Sequence, residues 1–289
     1  MRWREYKANS MTNNILRPFI IGSKNIRGKI VKLDQALDQV LTSHDYNDAI
    51  SKILGEALLA ISLIGSDMKS GGILTLQFQS EGDIRIFVAD VTGDLHIRGY
   101  VEYNDNIDFT NKNNAKDLFD KGYLVVTIDP ADSNQRYQGI VEIKGDTISE
   151  MLTNYIVTSE QIETVIKVAV NKIDGKWVGG GLILQKLPSN EEEDLKLWED
   201  AEVFANSVKD EELLSNEIDD LSLLKRLFGM HDVIAFDQRV VEAKCRCSHL
   251  KALKLLQTLD KEELETLKVD GKLIVKCQYC NKTNEFTHI

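Results

Sequence analysis

The chain has 289 residues, enough for one large or two modest domains with a real core. At 43% hydrophobic and 28% charged it has the composition of an ordinary soluble globular protein. No run approaches the roughly 18 apolar residues that cross a bilayer. The net charge of −11 is gathered in one place: residues 190–242 carry sixteen acidic and five basic residues, a balance of eleven negatives. The part before is nearly even at 24 acidic and 21 basic, and the part after is slightly basic at 6 and 9. The acidic segment is a poor grip for nucleic acid, which needs clustered Lys and Arg.

The first residues, "MRWREYKANSM", are polar and have no apolar h-region, so no secretion signal is expected; Met11 is an alternative start. Four cysteines without an export signal point to a reducing, cytoplasmic setting. There, paired cysteines more often bind metal or do redox chemistry than form structural disulfides.

Up to about Leu187 the chain mixes strand and helix signals. "YNDAISKILGEALLAISLIGSDM" places Ile50, Ile53, Leu54, Ala57, Leu58, Ile61 and Ile64 at helical spacing, which predicts a helix packed on a sheet. "ILTLQF", "DIRIFVADV", "DLHIRGYVEY", "YLVVTID" and "QGIVEI" are β-branched and punctuated by Gly, Asp and Asn, and read as strands of a largely antiparallel sheet. "TISEMLTNYIVTSEQIET" opens with a Thr-x-x-Glu capping box and reads as helix throughout. "VIKVAVNKIDGKWVGGGLILQKLP" reads as a hairpin turning at Asp174-Gly175. The fold class is α+β. The glycine clusters "KSGGILTL" and "WVGGGLIL" match no phosphate-binding pattern and run into strands, so they are read as easing strand bends or close packing.

Pro188 and "SNEEED" mark a boundary. The chain then divides into an α+β core domain over residues 1–189, an acidic amphipathic helical linker over 190–242, and a small terminal module over 243–289. In the linker, Leu214, Ile218, Leu221, Leu224 and Phe228 fall on one apolar helix face. Eleven net negatives weaken a compact state by self-repulsion, so the linker is expected to be folded but near the margin.

All four cysteines lie in the terminal module, as C-x-C at Cys245 and Cys247 and, after 29 residues, C-x-x-C at Cys277 and Cys280. Between the pairs are "SHLKALKLLQTL", a helix with Leu250, Leu253, Leu256 and Leu259, and "DKEELETL", a helix with Asp260 as N-cap. "KVDGKLIVK" follows, turning at Asp270-Gly271 into a strand that leads to Cys277. So small a unit with two thiol pairs suits one tetrahedral Zn²⁺, which would supply much of its stability. Other readings are unrelated buried thiols, a thioredoxin-like C-x-x-C, and a zinc ribbon for nucleic acid, from which the C-x-C departs. His249 and His288 are possible further ligands.

This combination resembles the bacterial redox-switched holdase chaperones of the 33-kilodalton heat-shock family. "CRCS" and "CQYCNKTNEF" carry the resemblance, with "IRGKIV", "GYVEY", "YQGIV", "SEQIET" and "GGLILQ" upstream. It spans nearly the whole chain; one departure is Glu163, where the family often has proline. The resemblance implies that Cys245, Cys247, Cys277 and Cys280 hold one zinc per chain in an inactive reduced state. Oxidation would then form Cys245–Cys247 and Cys277–Cys280 disulfides and release the metal. Structural zinc is worth roughly 10–16 kcal/mol in small zinc peptides, against about 5–15 kcal/mol for a whole domain, so the module should unfold and the linker follow. The exposed Leu214–Phe228 face and the part of the 1–189 domain it had covered would bind unfolding proteins, and family members dimerise when active, which makes 1–189 the client-binding and dimerisation domain. No Ser/His/Asp set or carboxylate pair suggests an enzyme, and no nucleic-acid or membrane partner is expected. A zinc-ribbon module of a nucleic-acid or polymerase complex is the alternative.

Overall fold

The computed structural model describes residues 13–287 apart from 23, 24, 111, 113, 134, 190 and 270. The chain enters through β1 (Ile15–Ile21) and β2 (Ile26–Leu33), then α1 (Gln35–Leu41) and α2 (Asp48–Gly65). A meander follows: β3 (Ile73–Ser80), β4 (Ile84–Thr92), β5 (His96–Tyr103), α3 (Ala115–Phe119), β6 (Gly122–Asp129) and β7 (Tyr137–Glu142). Next come α4 (Ile148–Tyr155) and the hairpin of β8 (Thr164–Ile173) and β9 (Lys176–Lys186). The sequence suggests one sheet; the structure has two of six strands each. The first runs β10-β1-β2-β9-β8, with β11 also on β1, and the second β12-β5-β4-β3-β6-β7. Here β10 is Val233–Ala235, β11 Arg239–Val240 and β12 Glu242–Ala243.

Helix α2 explains why two sheets are needed. Beyond its predicted face, Leu59, Ala60 and Leu63 are also buried, so it is apolar nearly all round and packs against strands of both sheets. A helix hydrophobic on every side belongs inside a core rather than on a surface. Ile64, predicted on the same face, is only half-buried.

One predicted helix ends earlier than its pattern implies. Thr147 caps α4 by accepting from the Glu150 amide at 3.2 Å, but the Glu150 carboxylate accepts from the Asp146 amide instead of closing the box on Thr147. The helix stops at Tyr155, widens into one π turn over Ile156–Glu160, and reverses at Gln161 with φ +57°. Thr164 already belongs to β8. The β8–β9 hairpin turns at Asp174 (φ +50°) and Gly175 (φ +78°), the two left-handed residues that suit the strand twist.

The single linker helix is three: α5 (Glu192–Ser207), α6 (Asp210–Leu214) and α7 (Asp220–Phe228). Asp219 starts α7 afresh by accepting from the Ser222 amide, so Ile218 sits in the turn before it and Leu214 at the end of α6. The helices cover the outer face of the first sheet. Trp198, Ala201, Leu213, Leu223, Leu224, Leu227 and Phe228 close on Phe19, Ile30, Val165, Leu182 and Leu184, with Phe19 and Phe228 stacked 5.8 Å apart. Gly180 of "WVGGGLIL" lies where α6 crosses: a Cβ there would meet the Leu213 carbonyl oxygen at 2.2 Å. The cluster is thus a close-packing device, as the sequence suggests.

After β12 comes the terminal module: α8 (His249–Leu256), α9 (Lys261–Thr266), and a small sheet of β13 (Lys268–Val269), β14 (Lys272–Lys276) and β15 (Thr283–Phe286). Its own core is Ala252, Leu256, Leu273 and Phe286. Of the predicted leucine row in α8, Leu256 is buried, Leu253 and Leu259 partly so, and Leu250 is exposed. Asp260 caps α9 with both halves of a capping box. Asp270 of the predicted turn lies outside the described residues; Gly271 there has φ +75°.

Candidate metal and redox centre

The C-x-C pair follows β12, which is tied to the second sheet by pairing in parallel with β5. Ser248, next after Cys247, caps α8 by accepting from the Lys251 amide, which sets the direction in which the chain leaves the pair. The C-x-x-C pair occupies the tight turn between β14 and β15. There the Cys277 amide donates to the Lys282 carbonyl at 3.0 Å, and the Asn281 amide to that of Cys277 at 2.9 Å. Asn281 supplies the left-handed residue of the turn, φ +55°.

These two turns face one another. The Cys245 and Cys277 sulfurs are 3.7 Å apart, those of Cys247 and Cys280 are 3.5 Å apart, and all four lie within 4.8 Å of one another. All four are free thiols and half-buried. Four soft donors converging at this spacing could hold a metal ion. His249 is not among the converging groups; it stacks on Phe286 with ring centroids 4.4 Å apart. His288 lies outside the described residues.

The thiols differ in acidity. At Cys245 burial opposes ionisation, but the Cys247 amide and the neighbouring thiols donate to its sulfur and bring it down to about 7. Burial pushes Cys247 and Cys280 up, and at Cys247 the anion on Cys245 adds to the effect. The hydrogen bonds around Cys245 thus favour its thiolate, the nucleophilic form of cysteine.

Residues outside the cysteine motifs hold the centre against the core. Asp90 of β4 is buried and receives Arg98 of β5 at 2.7 Å, Arg246 at 2.7 Å and the Thr75 hydroxyl at 2.7 Å. Arg246 is the middle residue of C-R-C. The Arg98 guanidinium lies 3.7 Å from the centre of the ring of Tyr279, which is inside C-Q-Y-C, and Tyr100 meets that ring edge-on at 4.9 Å. Two guanidiniums share one carboxylate here, so the wall beside the cysteines stays positive; Lys251 and Lys276 line the same cavity, of about 630 Å³. Four metal-bound thiolates would carry excess negative charge, which this wall offsets. On the other side, the Asn281 amide reaches the Ser43 carbonyl at 2.5 Å and His44 Nδ1 at 3.2 Å.

The predicted cysteines are thus brought together. Leu214, Ile218, Leu221, Leu224 and Phe228 lie elsewhere, against the first sheet, with Leu224 and Phe228 fully buried and the other three partly so. Sequence reasoning missed Asp90, Arg98, Arg246 and Tyr279. Two of these stood inside the cysteine motifs, and Asp90 was the one charged residue in the apolar run "IFVADV".

Comparison with known proteins agrees with this architecture. The family described as Hsp33 protein matches residues 14–287. A protein of Vibrio cholerae named 33 kDa chaperonin is 33% identical over 279 residues, covering 96% of this chain and 93% of its own. One of the same name from Methylobacillus flagellatus is 34% identical over 277 residues, covering 95% and 92%. The crystal structure of a 33 kDa chaperonin from Thermotoga maritima superposes with a TM-score of 0.85 over 95% of each chain, at 24% identity, and so shares the fold.

Proposed function

The chain belongs to the Hsp33 family of chaperones, and from that premise we propose that it is a redox-regulated holdase of the cytoplasm, a binding protein rather than an enzyme. In this reading Cys245, Cys247, Cys277 and Cys280 hold one Zn²⁺ as thiolates. Zinc bound by four thiolates at about 2.3 Å requires sulfurs about 3.8 Å apart; Cys245 and Cys277 stand at 3.7 Å, and Cys247 and Cys280 at 3.5 Å. When bound, the ion supplies folding free energy to the module and keeps the thiolates together. The module needs this: its own core is four residues.

Each disulfide forms as two thiolates give two electrons to one peroxide molecule, which leaves as two hydroxide ions. We propose Cys245–Cys247 and Cys277–Cys280 pairing, with loss of the metal. A second pairing, Cys245–Cys277 with Cys247–Cys280, would join sulfurs that stand 3.7 and 3.5 Å apart in the reduced protein. Proteolytic mapping separates them, because only the second keeps the two halves of the module covalently joined.

The observation that supports coupling of this switch to the linker is the chain between them. Three strands of two or three residues, β10, β11 and β12, run from α7 to Cys245 and pair with β1 and β5. Once the module unfolds, these short pairings are the next to fray, and α7 follows. The 190–242 linker then uncovers the first sheet of the 1–189 domain and its own Leu214, Ile218, Leu221, Leu224 and Phe228. Apolar surface of this kind holds unfolding proteins, while the linker's acidic residues keep the complex soluble. The active form is a homodimer. Among the described residues, no helix is long and apolar enough to cross a membrane.

The test is bound zinc and suppression of client aggregation, measured before and after peroxide treatment at raised temperature. Zinc loss with gain of activity is expected; retained zinc, or equal activity in both states, overturns the reading. The rival zinc-ribbon role requires salt-dependent nucleic-acid binding by the reduced protein, and none is expected.

A further inference from the structure

The face of the first sheet beneath the linker is not purely apolar. Arg17 of β1 and Lys32 of β2 are diagonal neighbours on it, since Arg17 pairs with Ile30 and Ile15 with Lys32. They are 4% and 6% exposed, and charged side chains that deep are rare unless partnered. Among the described residues, the hydrogen-bond partners of both are all in the linker. Arg17 Nε donates to the Asp220 carboxylate, Nη1 to the Phe236 carbonyl at 2.8 Å and Nη2 to Gln238 Oε1 at 3.0 Å. Lys32 Nζ donates to the Ser215 carbonyl at 2.6 Å and to that of Ile218. The five hydrogen bonds they make among the described residues thus end on residues 215–238.

When the linker leaves, both cations lose these partners together, while the apolar surface around them is laid open. The departing linker shows what satisfies the face: a carboxylate in the first turn of a helix, at Asp220, followed by the buried leucines and phenylalanine of α7. The carboxylate is also well placed at a helix N-terminus, where the dipole favours negative charge.

We infer that Arg17 and Lys32 select among clients, so that the uncovered first sheet prefers amphipathic helical segments with an acidic first turn, the chemistry of the linker it has released. The inference rests on the proposed activation by linker release. The apolar face supplies general stickiness, and the two cations supply discrimination, because a segment without a carboxylate leaves Arg17 without its ion pair and Lys32 without a nearby negative charge. A hydrogen bond to a charged group corresponds to roughly tenfold or more in binding.

The experiment uses the full chain, oxidised and freed of zinc, with two labelled synthetic peptides followed by fluorescence anisotropy. One peptide has the sequence of residues 217–230; the other carries D219N and D220N. The acidic peptide is expected to bind roughly tenfold more tightly at low salt. That preference should shrink toward unity in the Arg17→Met/Lys32→Met protein and persist in Arg17→Lys, which keeps the charge if the double variant fails to fold. The reduced protein, with its face covered, should bind neither peptide. Equal binding of both peptides by the oxidised parent protein, or a preference that survives in the double variant, overturns the inference. Aggregation suppression measured in parallel separates the two levels. Suppression without peptide preference overturns this selectivity alone; absence of both suppression and peptide binding overturns the chaperone reading with it.

Discussion

The linker and the terminal module are both laid against the same two-sheet core, but they are held by opposite means. The linker is fastened by apolar packing: Trp198, Leu223, Leu224 and Phe228 are buried against Phe19, Ile30 and Leu184. The module brings four buried residues of its own and touches the core through polar and aromatic contacts: Asp90 of the second sheet with two guanidiniums, Tyr279 under Arg98, and Asn281 on Ser43 between α1 and α2. Apolar contacts do not sense oxidation, whereas a cysteine cluster and the charges arranged around it do. The cysteines therefore belong to the layer with the smaller apolar core. Most of the linker's negative charge faces outward, with Asp194 and Asp220 buried, and the chain from α7 to the cysteines is held by the short strands β10 to β12.

The contrast can be broken most forcefully at the cysteines. Replacing Cys277 and Cys280 with Ser should abolish metal binding and remove folding free energy on the order of 10–16 kcal/mol from the module. Hydrogen exchange should then show protection lost over residues 245–287 and retained in β3 and β4; a protected module would mean that its four-residue core suffices alone.

The linker side is tested by Phe228→Ala, which opens a cavity against Phe19 and should cost about 3–5 kcal/mol. Amide exchange should rise across α5 and α7, and the reduced protein should bind clients, with its metal content unchanged. Normal linker protection would show that the packing is not what holds the linker down.

Asp90→Asn probes the polar attachment. It leaves two guanidiniums without their shared carboxylate, at about 1–3 kcal/mol given that both are partly exposed. Chelator-assisted metal release should quicken while the amount of metal bound stays the same.

The smallest effect is expected at Glu56 of α2. Burial raises its carboxyl from 4.5 to about 7, with Lys52 opposing and Asp210 of α6 adding to the rise. The folded pKa lies above the unfolded one, so between about pH 4.5 and 7 the folded state binds the extra proton. Stability from this group is present at low pH and is lost as pH rises through that window. Glu56→Gln should flatten the thermal-melt dependence there and stabilise the protein by about 1–2 kcal/mol at pH 8. An unchanged slope would place the carboxylate in water.

What could be read from the chain was local. The Asp174-Gly175 hairpin, the Asp260 cap and the strand leading into Cys277 each depend on neighbours a few residues apart, and each stands in the structure as read. The long helix read over residues 147–164 failed because its apolar period continues past Tyr155, although the backbone reverses at Gln161 to begin β8. The linker's single face failed similarly: period alone does not register a capping Asp219 in the middle of a run.

By itself, then, the sequence determined the cysteine pairs, the acidic segment between them and the core, and the α+β character, because spacing, charge and turn chemistry are written between near neighbours. Only the tertiary structure decided that α2 is enclosed by two sheets, that Asp90 reaches Arg246 across 156 positions, and that Arg17 and Lys32 are buried beneath the linker. A lone charge in an apolar strand has no visible partner until the chain returns to it. The chain returns because the apolar surface around that charge must be covered.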